Sequence, residues 1–406
     1  MSGFTGRTAK EQLTVNDIRY NNKVNLFTDI VSSSGITRND LAVKNNISIM
    51  TVKNIVDELL DLRMVEEHQM NSAVGRKPMA LRVASQYGNI VCINLSSINE
   101  IRFVIYDLRG ETLASGRTRF KNQEKYYIEK IEQAIGEIKD KLAGISTATI
   151  GVAVFIPGVY YDDEDRVEFA MFSELGEVKI RETFTEAFHV DNIQIIHDIH
   201  ASAKAEYELR AAEGDTQLYL YCGDGVASCL TKSDGSPELG QDLIAGEIGN
   251  IIYDWNDDGS PIRMESMLSV SEIKKRLPRA YREQEFEEAL DAYKKDPAVT
   301  KVLDEALDAA AEMLHNIVWA LNPTRIVVDS YCKQYAEMIV LRAKSFFRKH
   351  FNEEFLQETE LSVTRSDEYH TLSECMKQAR ACWIEQVVGS PEDRFMLLSG
   401  NEEGIG

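Results

Sequence analysis

The stretch at residues 37–67, TRNDLAVKNNISIMTVKNIVDELLDLRMVEE, predicts the architecture of the N-terminal part of the chain. Thr37 is a candidate helix N-cap, and Asp40 follows three positions later at the spacing of a capping box. After a short turn, Ser48 provides a second N-cap. Apolar residues then recur at helical spacing, at Val52, Ile55, Val56 and Leu59. A short helix, a tight turn and a longer helix together predict a helix-turn-helix.

The segments on either side complete a winged form of this motif. Upstream, apolar residues recur at a helical period over residues 18–31, which predicts a preceding helix. Downstream, residues 64–69 and 79–83 predict the two strands of a wing. The tip between them ends in GRKP, where Arg76 and Lys77 are basic. An extended basic tip suits a narrow minor groove, because the negative potential of that groove attracts arginine.

The outer face of the third helix supplies candidate DNA contacts. Ile49 and Met50 can touch thymine methyl groups and Asn54 can read adenine, whereas Asp57 would oppose any phosphate near it. A protein interface is the alternative, and we favour DNA because the wing tip is basic where a protein partner would need apolar anchors. The predicted DNA contacts are Ser48, Ile49, Met50, Thr51, Lys53, Asn54, Arg76 and Lys77.

Length and charge distribution indicate two functional parts. The chain has 406 residues, which is too long for one ordinary domain. Its net charge of -21 opposes nucleic-acid binding, which depends on lysine and arginine. Residues 1–86, however, hold 11 Lys and Arg against 9 Asp and Glu, so the acidic charge resides in the remainder. We predict a DNA-binding domain over residues 1–86 and a ligand-sensing domain over residues 87–406.

The composition also allows predictions about the cellular compartment and about metal binding. The longest apolar runs, such as residues 150–157, are far shorter than the ~20 residues of a membrane helix, and the N-terminus lacks the apolar segment of a signal peptide. The six cysteines are scattered, without the two-residue spacing of zinc or redox motifs. We therefore expect a cytoplasmic protein with reduced thiols, no membrane partner and no metal.

After residue 86 the pattern becomes that of an α/β protein. Strands are predicted at residues 90–95, 101–107, 111–118 and 149–155, and helices at 125–142 and 309–321. A comparable strand, turn and strand recurs at 217–231, and another strand at 325–328. The acidic insert at 279–296 is expected to form an exposed helix. This order predicts two related α/β lobes with a ligand cleft between them.

The order of these pieces resembles the ROK family (repressors, open reading frames and kinases). Residues 37–67 followed by GRKP resemble the head of its repressors, and the family's landmarks continue in order along nearly the whole chain. The resemblance implies an N-terminal winged helix-turn-helix joined to a two-lobed α/β domain of the actin and hexokinase type, which is ribonuclease H-like.

The elements that bind nucleotide in ROK kinases are altered here. In place of the family's Asp-x-Gly-Gly-Thr, the first hairpin reads INLSSIN, so Asn94 replaces the carboxylate while Ser96 and Ser97 replace glycines. Glycine lets phosphate oxygens approach the backbone closely, and the side chains of Ser96 and Ser97 prevent that approach. The second loop reads GDGVASC, and the third reads VVDSYC, with Asp329 and Ser330 in place of glycines. Three changes at one ligand's site indicate that ATP is not used, so we predict no catalytic residue, no cofactor and no enzymatic activity.

The sugar-binding elements resemble the family's more closely. In the kinases, the aspartate that corresponds to Asp198 takes the proton from the sugar hydroxyl. His197 and His200 replace family asparagines, Asn250 replaces a histidine, and DWNDDGSPIRMES replaces the zinc cysteine cluster. The ligand contacts that the resemblance implies are Pro157, Gly158, His197, Asp198, His200, Glu247, Asn250 and Glu265. Alternatively, the histidines are satisfied polar residues near the cleft and the carboxylates are solvated acidic surface.

These features predict a transcriptional regulator of the repressor type that binds a double-stranded DNA operator and responds to a sugar, sugar derivative or sugar phosphate. A homodimer or homotetramer is expected, because paired heads gain affinity from reading two half-sites. One alternative is a sugar kinase with a regulatory head, which Asp198 supports. The other is a ligand-independent regulator with a vestigial pocket, which no sugar would stabilise against heat.

Overall fold

The structure is a computed structural model. It describes residues 15–33, 35–69, 79–84, 87–97, 100–120, 127–168, 173–210, 214–351 and 359–389. The predicted wing tip, with Arg76 and Lys77, lies outside these ranges. None of the helices within them has both the length and the apolar composition that spanning a bilayer requires.

The N-terminal head is a three-helix unit with a two-stranded wing, as predicted. Its elements are α1 (Val15–Ser32), α2 (Arg38–Lys44), α3 (Ile49–Asp61), β1 (Val65–Gln69) and β2 (Met79–Val83). Thr37 and Asp40 form both hydrogen bonds of a capping box at α2. The Ser48 side chain accepts a hydrogen bond from the N–H of Thr51 at 3.1 Å. Local capping and apolar periodicity therefore position the helix-turn-helix.

The first lobe is built on a five-stranded mixed sheet. Its strands are β3 (Asn89–Asn94), β4 (Glu100–Asp107), β5 (Thr112–Arg119), β6 (Thr149–Ile156) and β9 (Ile193–His197), with a small hairpin of β7 (Val159–Tyr161) and β8 (Arg166–Glu168). The spatial order is β5-β4-β3-β6-β9, and β6 runs parallel to both β3 and β9. Helices α4 (Tyr127–Leu142) and α5 (Ile180–Phe188) cover one face. The apolar side chains of β3 are all buried and point alternately to the two faces of the sheet. Ile90 and Cys92 belong to the core shared with the head, and Val91 and Ile93 belong to the core under α4 and α5.

The second lobe contains a four-stranded sheet in the order β11-β10-β14-β15. Its strands are β10 (Gln217–Cys222), β11 (Val226–Thr231), β14 (Arg325–Asp329) and β15 (Glu360–Val363), and a separate hairpin is formed by β12 (Ile252–Trp255) and β13 (Pro261–Arg263). The helices are α6 (Asp198–Arg210), α7 (Met264–Leu268), α8 (Val270–Arg276), α9 (Arg279–Arg282), α10 (Phe286–Ala292), α11 (Pro297–Leu321) and α12 (Lys333–His350). The last helix, α13 (Glu368–Gly389), returns to the first lobe and the head.

Two predictions for the second lobe were wrong in detail. The helix predicted at residues 309–321 begins earlier, at Pro297, where Asp296 accepts a hydrogen bond from the N–H of Ala298 at 2.9 Å. The acidic insert is not one exposed helix but two short ones, α9 and α10. In α10 the side chains at i, i+3 and i+4 are buried, at Phe286, Ala289 and Leu290. This apolar stripe faces the core while acidic residues cover the outside.

The head and the first lobe share one apolar core. The rings of Phe27 in α1 and Trp383 in α13 lie 5.9 Å apart between centroids, and Trp383 is 6.1 Å from the ring of Tyr87. The Tyr20 hydroxyl donates to the carbonyl of Glu385 at 3.4 Å. The α13 helix therefore holds the head against the body, and a domain boundary at residue 86 stays a prediction.

Candidate ligand cleft and DNA-binding surface

A cavity of 1380 Å³ is lined by residues of both lobes. The first lobe contributes Asn94 after β3 and Pro157 after β6, and Asp198 begins α6 directly after β9. The second contributes the loop between β10 and β11 and Asp329 at the end of β14. The carboxyl ends of parallel strands thus meet at one crevice, which is where open α/β folds bind ligands.

The structure brings together seven of the eight predicted ligand contacts. The residues that line the cavity are Pro157, Gly158, His197, Asp198, Glu247, Asn250 and Glu265. His200 is not among them, and its ring instead packs edge-on to that of His197 with centroids 4.8 Å apart. Residues two apart on a helix face different directions, which accounts for Asp198 lining the cavity while His200 packs on His197. Ligand contact by the seven stays a prediction.

Asp198 has the chemistry of a hydrogen-bond acceptor and a base. Its Oδ1 accepts a hydrogen bond from the N–H of Ile199 at 2.7 Å. Burial raises the pKa of Asp198 to about 6, although the hydrogen bond from the N–H of Ile199 opposes the shift. Burial lowers the pKa of His197 to about 4, so this imidazole is neutral beside the carboxylate at pH 7. Asp198 can therefore accept a hydroxyl proton in a hydrogen bond.

Two further carboxyl groups extend this acceptor surface. Burial raises the pKa of Glu247, and the nearby Asp198 raises it further. Burial also raises the pKa of Glu265, whose Oε2 accepts a hydrogen bond from the N–H of Val226 at 2.8 Å. Closely spaced acceptors of this kind suit a ligand that is rich in hydroxyl donors.

We expect Asp198→Asn to raise the thermal unfolding temperature more at pH 8 than at pH 4.5. The folded-state pKa of about 6 lies above the ordinary value of 3.8, so protonation of Asp198 stabilises the fold at low pH. That contribution is lost as the pH rises through 6, whereas asparagine never ionises. Thermal unfolding of both proteins at the two pH values measures the difference. Asp140→Asn, on the exposed side of α4, is the control, and an equal gain at both pH values would contradict the assignment.

The position of the family's first phosphate loop is occupied by a polar network. Asn94 accepts a hydrogen bond from the N–H of Ser96 at 2.8 Å and donates to the carboxylate of Glu368 at 3.1 Å. Arg102 forms an ion pair with the same Glu368. Asn94 is therefore held by protein groups, and Glu368 adds negative charge beside the loop.

The predicted nucleotide half of the cavity is acidic as well. The carboxylate of Asp329 accepts hydrogen bonds from the Tyr219 hydroxyl at 2.6 Å and from the N–H of Ser330 at 2.8 Å. Burial raises the pKa of Asp329 and that of Asp224, and both residues line the cavity. A triphosphate in this half would lie against these carboxylates, and the cation beside Asp224 is Lys274, which donates to the carbonyl of Gln284.

The segment that replaces the family's zinc cluster does not fit zinc. Structural zinc takes about four nitrogen or sulfur ligands, and residues 250–265 contain neither histidine nor cysteine. Within the described ranges, moreover, no three or more His, Cys, Asp or Glu side chains are grouped so that they could hold a metal ion.

The α3 helix presents an open face to solvent. Ile49 and Met50 are 50% and 62% exposed, and Lys53 and Asn54 are exposed beside them. Ser48 is also exposed and Thr51 is half-buried. The opposing effect predicted for Asp57 is reduced, because Arg38 of α2 donates to its carboxylate at 3.3 Å. DNA contact by these residues stays a prediction.

Some cleft residues could not be found from the sequence. Glu368 comes from the first turn of α13, which no local motif connects to the loop after β3. Tyr221 and Tyr331 also line the cavity. Tyr221 lies outside the family segments quoted above, and Tyr331 lies within VVDSYC at a position to which the resemblance gives no role. Only the position of Tyr331 directly after VVDS could have drawn attention to it.

Comparison with solved structures establishes the fold. A ROK family transcriptional regulator, described as a homologue of the E. coli MLC protein, has a TM-score of 0.74 at 17% identity, covering 91% of this chain and 98% of its own. A putative N-acetylmannosamine kinase from Listeria monocytogenes has a TM-score of 0.59 at 16% identity, covering 72% of this chain and 98% of its own. A ROK glucokinase from Streptomyces griseus, in complex with glucose and AMPPNP, has a TM-score of 0.55 at 17% identity, covering 72% of this chain and 99% of its own.

The family assignment depends on sequence rather than on these distant structures. No curated protein matches the chain. The model of the ROK family matches residues 91–371, well over half of the sequence, and includes both lobes of the cleft. The chain therefore belongs to the ROK family, and its body has the two-lobed actin and hexokinase type of fold.

Proposed function

We propose that this protein is a DNA-binding transcriptional regulator of the repressor type, with a cleft that binds a sugar or sugar derivative. The observation that carries the proposal is the winged helix-turn-helix, in which α3 leaves Ile49, Met50 and Asn54 open to solvent. Those side chains match the apolar and amide contacts that read thymine and adenine in the major groove. The regulator structure also covers more of this chain than the kinase structures do.

The cleft chemistry supports a binding role over phosphoryl transfer. Transfer from ATP requires positive groups or metal ions around the transferred phosphate. Here Asp224 and Asp329 line that half of the cavity, and the loop after β3 presents Asn94 in place of the family's carboxylate. We expect the protein not to turn over ATP.

The last helix provides a route from cleft to head. At its first residue, Glu368 pairs with Asn94 and Arg102 at the cavity wall. Fifteen positions later in the same helix, Trp383 packs on Phe27 of the head. A ligand that binds one arrangement of α13 better than another would shift the pose of the head, which is the requirement for allosteric control. Paired heads in a homodimer or homotetramer would read two half-sites.

The direct test is DNA binding by the full-length protein. We expect saturable binding to DNA from upstream of its own coding region, measured by fluorescence anisotropy across a salt series. Arg76→Ala is expected to weaken binding, because the basic wing tip would lose its minor-groove contact. Lys141→Ala, exposed on α4 of the body, is the control. Absence of specific binding at low salt would overturn the proposal.

A sugar kinase is the second candidate, and Asp198 favours it. A carboxyl group with a pKa of about 6 can act as a general base near neutral pH. Incubation with ATP, magnesium and a panel of sugars tests this candidate. ADP release that depends on sugar and disappears in Asp198→Asn would favour the kinase over the regulator.

A further inference from the structure

The cavity is larger than one sugar ring requires. Its 1380 Å³ exceeds the about 300–1,000 Å³ of ordinary ligand pockets. Asp198, at the start of α6, and Glu247 both line it. Tyr221 and Asp329 are cross-strand neighbours on β10 and β14 of the second lobe. Together with Asp224 and Tyr331 they line the cavity at the carboxyl ends of these strands, and we call this region the tyrosine side.

The two parts belong to one continuous space. Asp198 and the four residues of the tyrosine side all line the same cavity. A ligand anchored at Asp198 would therefore meet the tyrosine side as soon as it extended beyond one ring.

The tyrosine side combines an aromatic surface with oxygen acceptors. Tyr331 lines the cavity and is 53% exposed, so its ring is open to a ligand. The carboxylate of Asp329 is fixed by Tyr219 and by the N–H of Ser330. A sugar ring has an apolar C–H face that can pack on an aromatic ring and hydroxyl groups that can donate to a carboxylate.

The charges of this space disfavour a phosphorylated ligand. Among the described residues, none of the ion pairs involves Glu247, Glu265 or Asp329. Of the five lysines and arginines that line the cavity, Arg102 pairs with Glu368 and Lys275 pairs with Glu272 at 2.5 Å. The other three, Arg263, Lys274 and Arg282, donate hydrogen bonds to backbone carbonyls. Nine Asp and Glu residues line the same cavity and outnumber these cations. An anion would therefore meet unneutralised carboxyl groups, whereas uncharged hydroxyl donors would satisfy them.

We propose that the tyrosine side is a second sugar subsite, so that the cleft takes an unphosphorylated saccharide of at least two rings. The first ring lies at Asp198 and Glu247, and the second packs on Tyr331 and donates to Asp329. The inference rests on the sugar-binding part of the proposed function and is independent of DNA binding.

Calorimetric titration of the full-length protein tests the proposal. The probes are glucose, glucose 6-phosphate, and the disaccharides maltose, cellobiose, lactose and sucrose. We expect one disaccharide to bind at least about tenfold more tightly than glucose, with glucose 6-phosphate weaker than glucose. Tyr331→Ala should lower that disaccharide affinity about tenfold and leave glucose affinity unchanged. Tyr369→Ala is the matched control, since this tyrosine is 55% exposed but does not line the cavity.

Three results would overturn the second subsite: glucose binding as tightly as every disaccharide, an unaltered disaccharide affinity in Tyr331→Ala, or no disaccharide binding at millimolar concentration. Loss of the DNA-binding result with intact disaccharide binding would instead refute the regulator and retain the subsite. The experiments can therefore refute the second sugar subsite without refuting the transcriptional regulator, and the reverse.

Discussion

Trp383→Ala is expected to lower the free energy of unfolding by about 3–5 kcal/mol and to weaken DNA binding at the same time. Trp383 is 4% exposed and lies in the core shared by α13, the head and the first lobe. Its removal leaves a cavity beside Phe27 and Tyr87, both of which lie within ring-contact distance of it. The head would then lose its main apolar attachment to the body.

The control for Trp383→Ala is a substitution of the same class elsewhere. Phe347 is 2% exposed and belongs to the core of the second lobe, away from the head. We expect Phe347→Ala to cost a similar amount of stability and to leave DNA affinity unchanged below its unfolding transition. Urea unfolding followed by circular dichroism, together with fluorescence anisotropy on DNA, measures both quantities. Equal DNA affinity in wild type and Trp383→Ala would show that α13 does not hold the head in its DNA-binding pose.

Asn54→Ala should weaken specific DNA binding by about 5- to 150-fold, the effect of losing one bidentate base contact worth about 1–3 kcal/mol. The side chain is exposed on α3, whereas Ile55 and Val56 beside it are buried, so the substitution removes a surface amide without opening the core. We expect little change in binding to unrelated DNA, because that binding depends on phosphate contacts.

The Lys53→Ala variant distinguishes the loss of a phosphate contact from the loss of a contact with a base. This neighbouring lysine is also exposed, and loss of one phosphate contact should lower the slope of log affinity against log salt by about 0.9. Its effect should be similar on specific and unrelated DNA. If Asn54→Ala instead weakened both DNAs equally, α3 would not be the element that reads sequence.

The head and the loss of the nucleotide motifs could be predicted from the sequence. Thr37, Asp40 and Ser48 form caps through bonds to residues three positions away, so their spacing alone predicts where α2 and α3 begin. The INLSSIN, GDGVASC and VVDSYC segments are contiguous loops, and a side chain in place of a glycine is visible in the letters. The second lobe is harder to predict from the sequence, because α10 lies in an acidic segment in which the three buried positions do not form an obvious pattern.

The winged helix-turn-helix, the family of the two-lobed body and the altered phosphate loops can all be predicted from the sequence, since each depends on residues that are neighbours in the chain. The tertiary structure was needed to show that Glu368 pairs with Asn94 across 274 positions, that the ring of His200 packs on that of His197, and that α13 links the cleft wall to the head. The physical reason is that these contacts arise when apolar faces of distant helices and strands pack against one another. No local spacing encodes which polar groups that packing then brings together.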